Sequence, residues 1–349
     1  MKLLVSALEF SSNLHLGELK KHLGDEVEFF GIFAKHLGKP KHDLKELALM
    51  GIVDAVKKIP FFLGLKNEML ELAKDCDKVL LLDSSAFNLP LAKAIKTAYP
   101  EKEIIYYILP QVWVWKKYRV FKIQRYCDKL CSIIPFEKDL YPNPKRVDFV
   151  GHPLLDEIIE FKKEYIENKR LVFMPGSRKN EIIRLMPLFK MLCKKDKIKD
   201  YKHILIIPKN FAQDKIQELY GNIDEFEVQN DANKELVKAD FAFICSGTAT
   251  LEAALIGTAF VLVYMTKALD FFIGRQIVRM PYVGLANIFF EKMGLGAMHE
   301  ELLQNRVNLE NMLYAFKAVN KERFIENSKK LRAYLEGGSS KKVKELILK

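Results

Sequence analysis

The sequence predicts an α/β protein built as two nucleotide-binding-like (Rossmann-type) domains facing a cleft. Three observations carry that expectation. Short apolar runs alternate with segments of helical spacing along nearly the whole chain, the pattern of parallel sheets covered by helices. Two of those runs, Leu171–Met174 and Phe241–Ile244, end in small, hydroxyl-bearing turns that open helices. A polar run from Lys162 to Arg170 separates two parts of ordinary domain size. The expected division is 1–162, 163–310, and charged helices over 311–349 that fold back on the first domain or cross to a partner chain.

Taken in order, Lys2–Leu8 is expected as a buried strand. It breaks at Glu9-Phe10-Ser11-Ser12-Asn13, and Leu14–Leu23 follows as a helix. Val27–Phe33 is a second strand, and a Lys-rich loop leads to an amphipathic helix over Leu44–Lys58. Lys78–Leu82 is a third strand, with Leu89–Thr97 a helix after it. Glu103–Ile108, Lys129–Ile134 and Val147–Gly151 complete the first set of strands. In such sheets ligands bind at the carboxyl ends of the strands, so Glu9–Asn13, Asp83–Asn88 and Leu109–Trp115 should share one edge. In the second half, His203–Ile207, Phe226–Val228 and Phe260–Tyr264 are further strands. Tyr264–Val278 reads as a helix, Pro281–Asn287 as a loop, and the chain from Leu309 as helical up to Gly337–Ser340.

The composition fits a folded protein: 349 residues, 49% apolar, 29% charged. A net charge of +11 favours acidic partners, namely anionic membrane, nucleic acid or phosphorylated small molecules. Five cysteines without a CxxC pair argue for reduced thiols and not for a disulfide framework. The opening MKLLVSALEF has too short an apolar run for a secretory signal, and no stretch reaches membrane-spanning length. Membrane contact is therefore expected to be peripheral. Two clusters bear on it. Met50–Leu65 sets Val53, Val56, Phe61 and Phe62 beside Lys57 and Lys58, as a basic amphipathic helix running into an aromatic turn. The same stripe also suits a helix packed on the sheet. Trp113–Arg125 holds both tryptophans and five basic residues; it suits phosphates and acyl chains, or nucleic acid. No stacking module or zinc-finger pattern supports nucleic acid.

Three places carry candidate chemistry. Asp83 follows the apolar run Val79–Leu82, where a carboxylate serves as a general base or as a turn cap. Pro175-Gly176-Ser177-Arg178 opens a helix, and a cation there is opposed by the helix dipole, which favours a functional use for Arg178 on an anion. Ser246-Gly247-Thr248-Ala249-Thr250 also opens a helix, with Glu252 about one turn in. Unpaired N–H groups there suit a phosphate, although Ser and Thr acting as caps, with Glu252 completing a capping pattern, explain this segment more simply when it is taken alone. Asp75-Cys76-Asp77 lies at the opposite end of its strand and reads as solvated surface, so no metal is expected.

With these pieces in place, the chain resembles the lipid A disaccharide synthase family. The matching segments are ELALMGIVDAV (46–56), RVFKIQR (119–125), PFEKDLY (135–141), GHPLLD (151–156), MPGSRKNEI (174–182) and SGTATLEAAL (246–255). The resemblance implies a B-type glycosyltransferase fold, with an acceptor- and membrane-facing first domain and a UDP-sugar-binding second. It implies transfer of 2,3-diacylglucosamine from UDP-2,3-diacylglucosamine to 2,3-diacylglucosamine 1-phosphate (lipid X), with inversion, releasing UDP and the lipid A disaccharide 1-phosphate. By the same resemblance Asp83 is the base and Arg178 stabilises the leaving UDP. Gly176, Ser177, Ser246, Gly247, Thr248 and Ala249 belong to the UDP site, with Glu252 on the ribose, while Ser11 and Asn287 contact substrate. No cofactor or metal is implied. The implied location is the cytoplasmic face of the bacterial inner membrane, and a homodimer stays open.

The chain departs from the family pattern at Ser12, Asn13, Ala86 and Ala286. Most of these changes fall on the acceptor side. Two other readings stay open. One is another UDP-sugar transferase or a UDP-N-acetylglucosamine 2-epimerase of the same fold. The other is a non-enzymatic membrane- or nucleic-acid-binding protein, against which the paired anion turns count.

Overall fold

The computed structural model describes residues 1–44, 59–114, 116–209, 211–266 and 281–349. Nearly all of the expected helix Leu44–Lys58 and most of Tyr264–Val278 lie outside the described residues, as do Val53, Val56, Lys57, Lys58 and Trp115. The chain forms two compact units, Met1–Glu157 with Leu335–Lys349, and Ile158–Tyr334.

The first unit holds a seven-stranded parallel sheet in the order β3-β2-β1-β4-β5-β6-β7. Its strands are β1 Lys2–Ala7, β2 Glu28–Phe33, β3 His42–Asp43, β4 Lys78–Leu82, β5 Glu103–Tyr107, β6 Lys129–Ser132 and β7 Val147–Phe149. Strand β4 shows why these runs are apolar throughout, since successive side chains enter opposite faces and both faces are covered. Val79 and Leu81 join one core layer with Met69, Leu91, Ile95 and Ile123. Those four come from the helices Ile59–Leu72, Ser85–Ala98 and Arg119–Tyr126. Leu80 and Leu82 join the other layer with Leu16, Leu19, Val343 and Ile347. This second layer pairs α1 (Phe10–Leu23) with the last helix of the chain, Ser339–Leu348.

That last helix is fastened to its own first unit. Asp156 accepts from the Gly338 and Ser340 N–H groups at 2.6 and 2.8 Å, and the Tyr107 and Ser339 hydroxyls bond at 2.8 Å. Ile347 is fully buried. An Ile347→Ala protein should therefore lose about 2–5 kcal/mol in urea unfolding, the transfer loss plus a cavity. A loss under 0.5 kcal/mol would show that the helix is not part of the core.

The second unit holds a six-stranded parallel sheet, β10-β9-β8-β11-β12-β13. Its strands are β8 Arg170–Met174, β9 Lys202–Ile206, β10 Glu227–Gln229, β11 Phe241–Cys245, β12 Phe260–Tyr264 and β13 Glu300–Leu303. The core is aromatic. Phe173 stacks on Phe243 with ring centroids 5.2 Å apart and meets Phe189 and Phe226 edge-on.

Several expected boundaries are corrected. Helices begin at Phe10, Ser85 and Thr248, three or four residues before the starts that apolar spacing places at Leu14, Leu89 and Leu251, so Phe10–Asn13 is helix and not loop. The stretch taken for an aromatic turn, Phe61 and Phe62, lies within the helix Ile59–Leu72. Asn287 lies in the helix Leu285–Lys292 and not in a loop. The units divide near Glu157, and Lys162 is buried, with its ammonium on the Ala239 carbonyl, so it is no solvated linker residue. Of the C-terminal helices, Leu309–Ala318 and nearly all of Lys321–Leu335 belong to the second unit, and only the final one to the first.

Candidate active site

Each sheet reverses its strand order once. In the first the chain starts at β1, moves outward through β2 and β3, then returns to β4 on the other side. In the second the same reversal falls between β8 and β11. Loops leaving two neighbouring strands in opposite directions open a crevice at their carboxyl ends, where ligands of such sheets bind. The candidate residues sit at these two points.

In the first sheet Ala7 pairs with Leu82, so the next residues of β1 and β4 bring Glu9 and Asp83 together. The Ser84 hydroxyl reaches the Glu9 carboxylate at 3.3 Å. Asp83 and Ser84 both adopt left-handed backbone, with φ of 46° and 39°. Such positions cost roughly 1–3 kcal/mol each and persist only where neighbours enforce them. Here the Asp83 carbonyl accepts from the Tyr106 hydroxyl at 2.6 Å and the Asn88 amide at 2.9 Å. Asn88 is itself held by Ser6 Oγ at 2.6 Å. Strands β1 and β5 thus aim the Asp83 carboxylate.

Burial raises the Asp83 carboxyl above the usual aspartate range, with the Ser84 N–H and His15 opposing. Glu9 is also raised, by burial first and then by the charge of Asp83. A raised carboxylate is a better proton acceptor and is inactive over a wider acid range. Were Asp83 to serve as a base, the acid limb of a kcat/KM profile should therefore lie above the ordinary aspartate value. A limb at or below that value would contradict this environment.

In the second unit β8 and β11 are neighbours, with Met174 opposite Ile244. Both following turns, Gly176–Arg178 and Ser246–Gly247, therefore open onto one cavity of about 510 Å³. The helices they start, Lys179–Cys193 and Thr248–Ile256, aim their amino ends into it. Gly247 is the N-cap of the second helix and offers no side-chain acceptor. Thr250 instead turns its hydroxyl back to the Gly247 carbonyl at 2.8 Å. The Thr250 N–H bonds the same carbonyl at 3.1 Å, and no side chain caps the helix; a ligand would meet the N–H groups that precede Thr250. Gly176 has φ of 94°, and a Cβ there would come within 2.5 Å of the Glu181 carboxylate. The Arg178 guanidinium is exposed at the cavity and pairs with Glu181 at 3.0 Å.

Ser177, Ser246, Thr248 and Ala249 line the same cavity, while Glu252 stands half-buried one turn further along its helix, outside that lining. Asn287 is fully buried, and all its hydrogen-bonding capacity is used within the protein. It donates to the His299 carbonyl and Glu301, and accepts from the Met298 and His299 N–H groups. This asparagine pins β13 and has no group left for a substrate. Ser11 is half-buried in the first turn of α1. Ser12 and Asn13 are buried in backbone ties, Asn13 joining the Ala7 and Glu9 carbonyls to the Ala34 N–H. Two of the departures from the family pattern thus serve internal structure.

Phe62 packs against Phe87 and faces the core, whereas Phe61 and Leu63 are exposed. The Trp113–Arg125 cluster also splits. Trp113 is buried against Phe136, while Tyr118 and Phe121 are exposed beside Lys117, Lys122 and Arg125. No described helix is long and apolar enough to cross a membrane. Among the described residues, no group of three or more His, Cys, Asp or Glu could hold a metal ion. The sequence places Glu9 and Asn88 on the ligand edge but assigns no role to them or to Glu181. Of these only Glu181 carried a local signal, a carboxylate three residues beyond an N-cap.

Comparison with known proteins bears on this arrangement. A family model described as lipid-A-disaccharide synthetase matches residues 3–348. A lipid-A-disaccharide synthase of Helicobacter pylori (strain ATCC 700392 / 26695) is 48% identical, over 98% of this chain and 96% of that protein. One from Campylobacter jejuni (strain RM1221) is 42% identical, over 99% and 98%. Among solved structures, a putative UDP-N-acetylglucosamine 2-epimerase from Listeria monocytogenes aligns with TM-score 0.63 at 16% identity, over 98% of this chain and 94% of that one. The glycosyltransferase SnogD from Streptomyces nogalater aligns with TM-score 0.54 at 13% identity, over 100% and 99%. At such identities the structural likeness is one of fold alone.

Proposed function

We propose a course for the glycosyl transfer carried out by this chain, which belongs to the lipid-A-disaccharide synthase family. The donor is UDP-2,3-diacylglucosamine and the acceptor 2,3-diacylglucosamine 1-phosphate, with the second unit binding the donor and the first the acceptor. The Asp83 carboxylate takes the proton of the acceptor's 6-hydroxyl. That oxygen attacks the anomeric carbon from the face opposite the diphosphate. The bond from that carbon to the diphosphate oxygen breaks, and UDP departs with the electron pair. Negative charge grows on the diphosphate as it leaves, so fixed donors there act mainly on the transition state. Arg178 and the N–H groups at Ser246–Ala249 supply them.

The observation that supports this most is the convergence of two uncapped or cation-bearing helix starts on one cavity at the strand-order reversal. An assay of UDP release tests it. Release should require both acylated glucosamine substrates. Release from UDP-N-acetylglucosamine alone would favour an epimerase, a reading that only the fold supports.

Peripheral attachment to an anionic bilayer, on the cytoplasmic face of the inner membrane, completes the reading because the substrates carry acyl chains. The exposed Tyr118 and Phe121 with Lys117, Lys122 and Arg125 support it, in a stretch without acidic residues. Each basic residue near such a surface contributes roughly 1 kcal/mol. A Lys117→Glu, Phe121→Ser, Lys122→Glu protein should lose more than tenfold in partitioning onto anionic vesicles. Unchanged partitioning would remove this face from the membrane contact.

A further inference from the structure

An anion-binding cavity is a poor place for a carboxylate, yet Glu181 forms part of its wall and is only 6% exposed. Its charge opposes any diphosphate bound beside it. A glutamine would cap the same backbone N–H without that opposition, so the charge calls for a reason. The contacts supply one. Oε2 accepts from the Arg178 N–H at 3.4 Å, and Oε1 accepts from Arg178 Nη1 at 3.0 Å. Oε2 also fills the space in which a Cβ on Gly176 would fall. One side chain thus sets the backbone of the turn, the need for glycine at 176 and the direction of the guanidinium. The same charge, after burial, pushes the Cys245 thiol up to about 12, so the cysteine in this wall stays protonated.

We propose that Glu181 is the positioning residue of the donor site. It holds Arg178 aimed at the leaving group and keeps the resting cavity close to neutral, so that UDP is released after transfer. The guanidinium has five N–H donors, of which Glu181 engages one on Nη1. The others remain for phosphate oxygens as their charge develops. This rests on reading the cavity as the UDP site.

Glu181→Gln in the full chain tests it, with kcat, donor KM and direct UDP titration measured together. The backbone cap is kept, so the melting temperature should stay within a few degrees. Loss of aim should lower kcat by roughly 10–100-fold, while loss of the opposing charge should tighten UDP binding by about tenfold. On an Arg178→Ala background the same change should lower kcat no further, since groups acting as a unit are not additive. Should Glu181→Gln fail to fold, Glu181→Asp serves. It keeps the charge and retracts the guanidinium, predicting a lower kcat at unchanged UDP affinity. Wild-type kcat and UDP affinity in a folded Glu181 variant would overturn the proposal and leave the UDP site standing. Absence of UDP binding to the unaltered protein would instead overturn the site.

Discussion

Asp83→Asn is expected to lower turnover by about 10²–10⁴-fold, the range supplied by a positioned general base, and to leave the fold intact. The substitution is unusually clean here. Asparagine is nearly isosteric and among the residues that best tolerate left-handed backbone, which this position requires at φ 46°. The clamp on residue 83 acts through its carbonyl, which accepts from Tyr106 and Asn88, and so survives the change. Burial disfavours the ionised carboxylate, so a neutral amide should cost little stability. UDP affinity should also be unchanged, because the UDP site is proposed in the other unit. Full turnover by the folded variant would remove Asp83 from the chemistry.

The second large effect is expected from Arg178→Ala. Removing one fixed donor from a developing negative charge typically costs about 10²–10³-fold in kcat. Here a cation is lost as well, and Glu181 is left buried without its partner. UDP binding should weaken along with turnover, which separates this variant from Asp83→Asn. A folded Arg178→Ala protein that released UDP at the normal rate would show that the N–H groups of the two helix starts suffice.

The strands were legible because both faces of each sheet are covered. Val79–Leu82 is apolar at every position since alternate residues enter opposite core layers. The helix starts at the ligand edge were not, whereas the start at Leu309 was. Phe10–Asn13, Ser85–Asn88 and Thr248–Thr250 are helical, yet mostly polar or small, because these first turns lie at the ends of the strands and serve the ligand edge. Apolar periodicity begins only where the helix reaches the sheet, so it places each start three or four residues late.

Asp83 and Arg178 could be picked out locally, as a carboxylate after an apolar run and a cation where the dipole opposes it. The pairing of Glu9 with Asp83 could not. It depends on β1 lying beside β4, which becomes visible only with the strand order. Asn287 shows the converse. Its resemblance to a substrate contact was legible, but its four internal hydrogen bonds come from residues eleven to fourteen positions away, and only packing reveals them.

The division of labour between the two units is tested most directly by titrating UDP into Asp83→Asn and Arg178→Ala and then assaying turnover on the same samples. The prediction is that Asp83→Asn binds UDP as the unaltered protein does while turning over at a hundredth of its rate or less, and that Arg178→Ala is impaired in both. Equal weakening of UDP binding in the two variants, or normal turnover by Asp83→Asn, would contradict it.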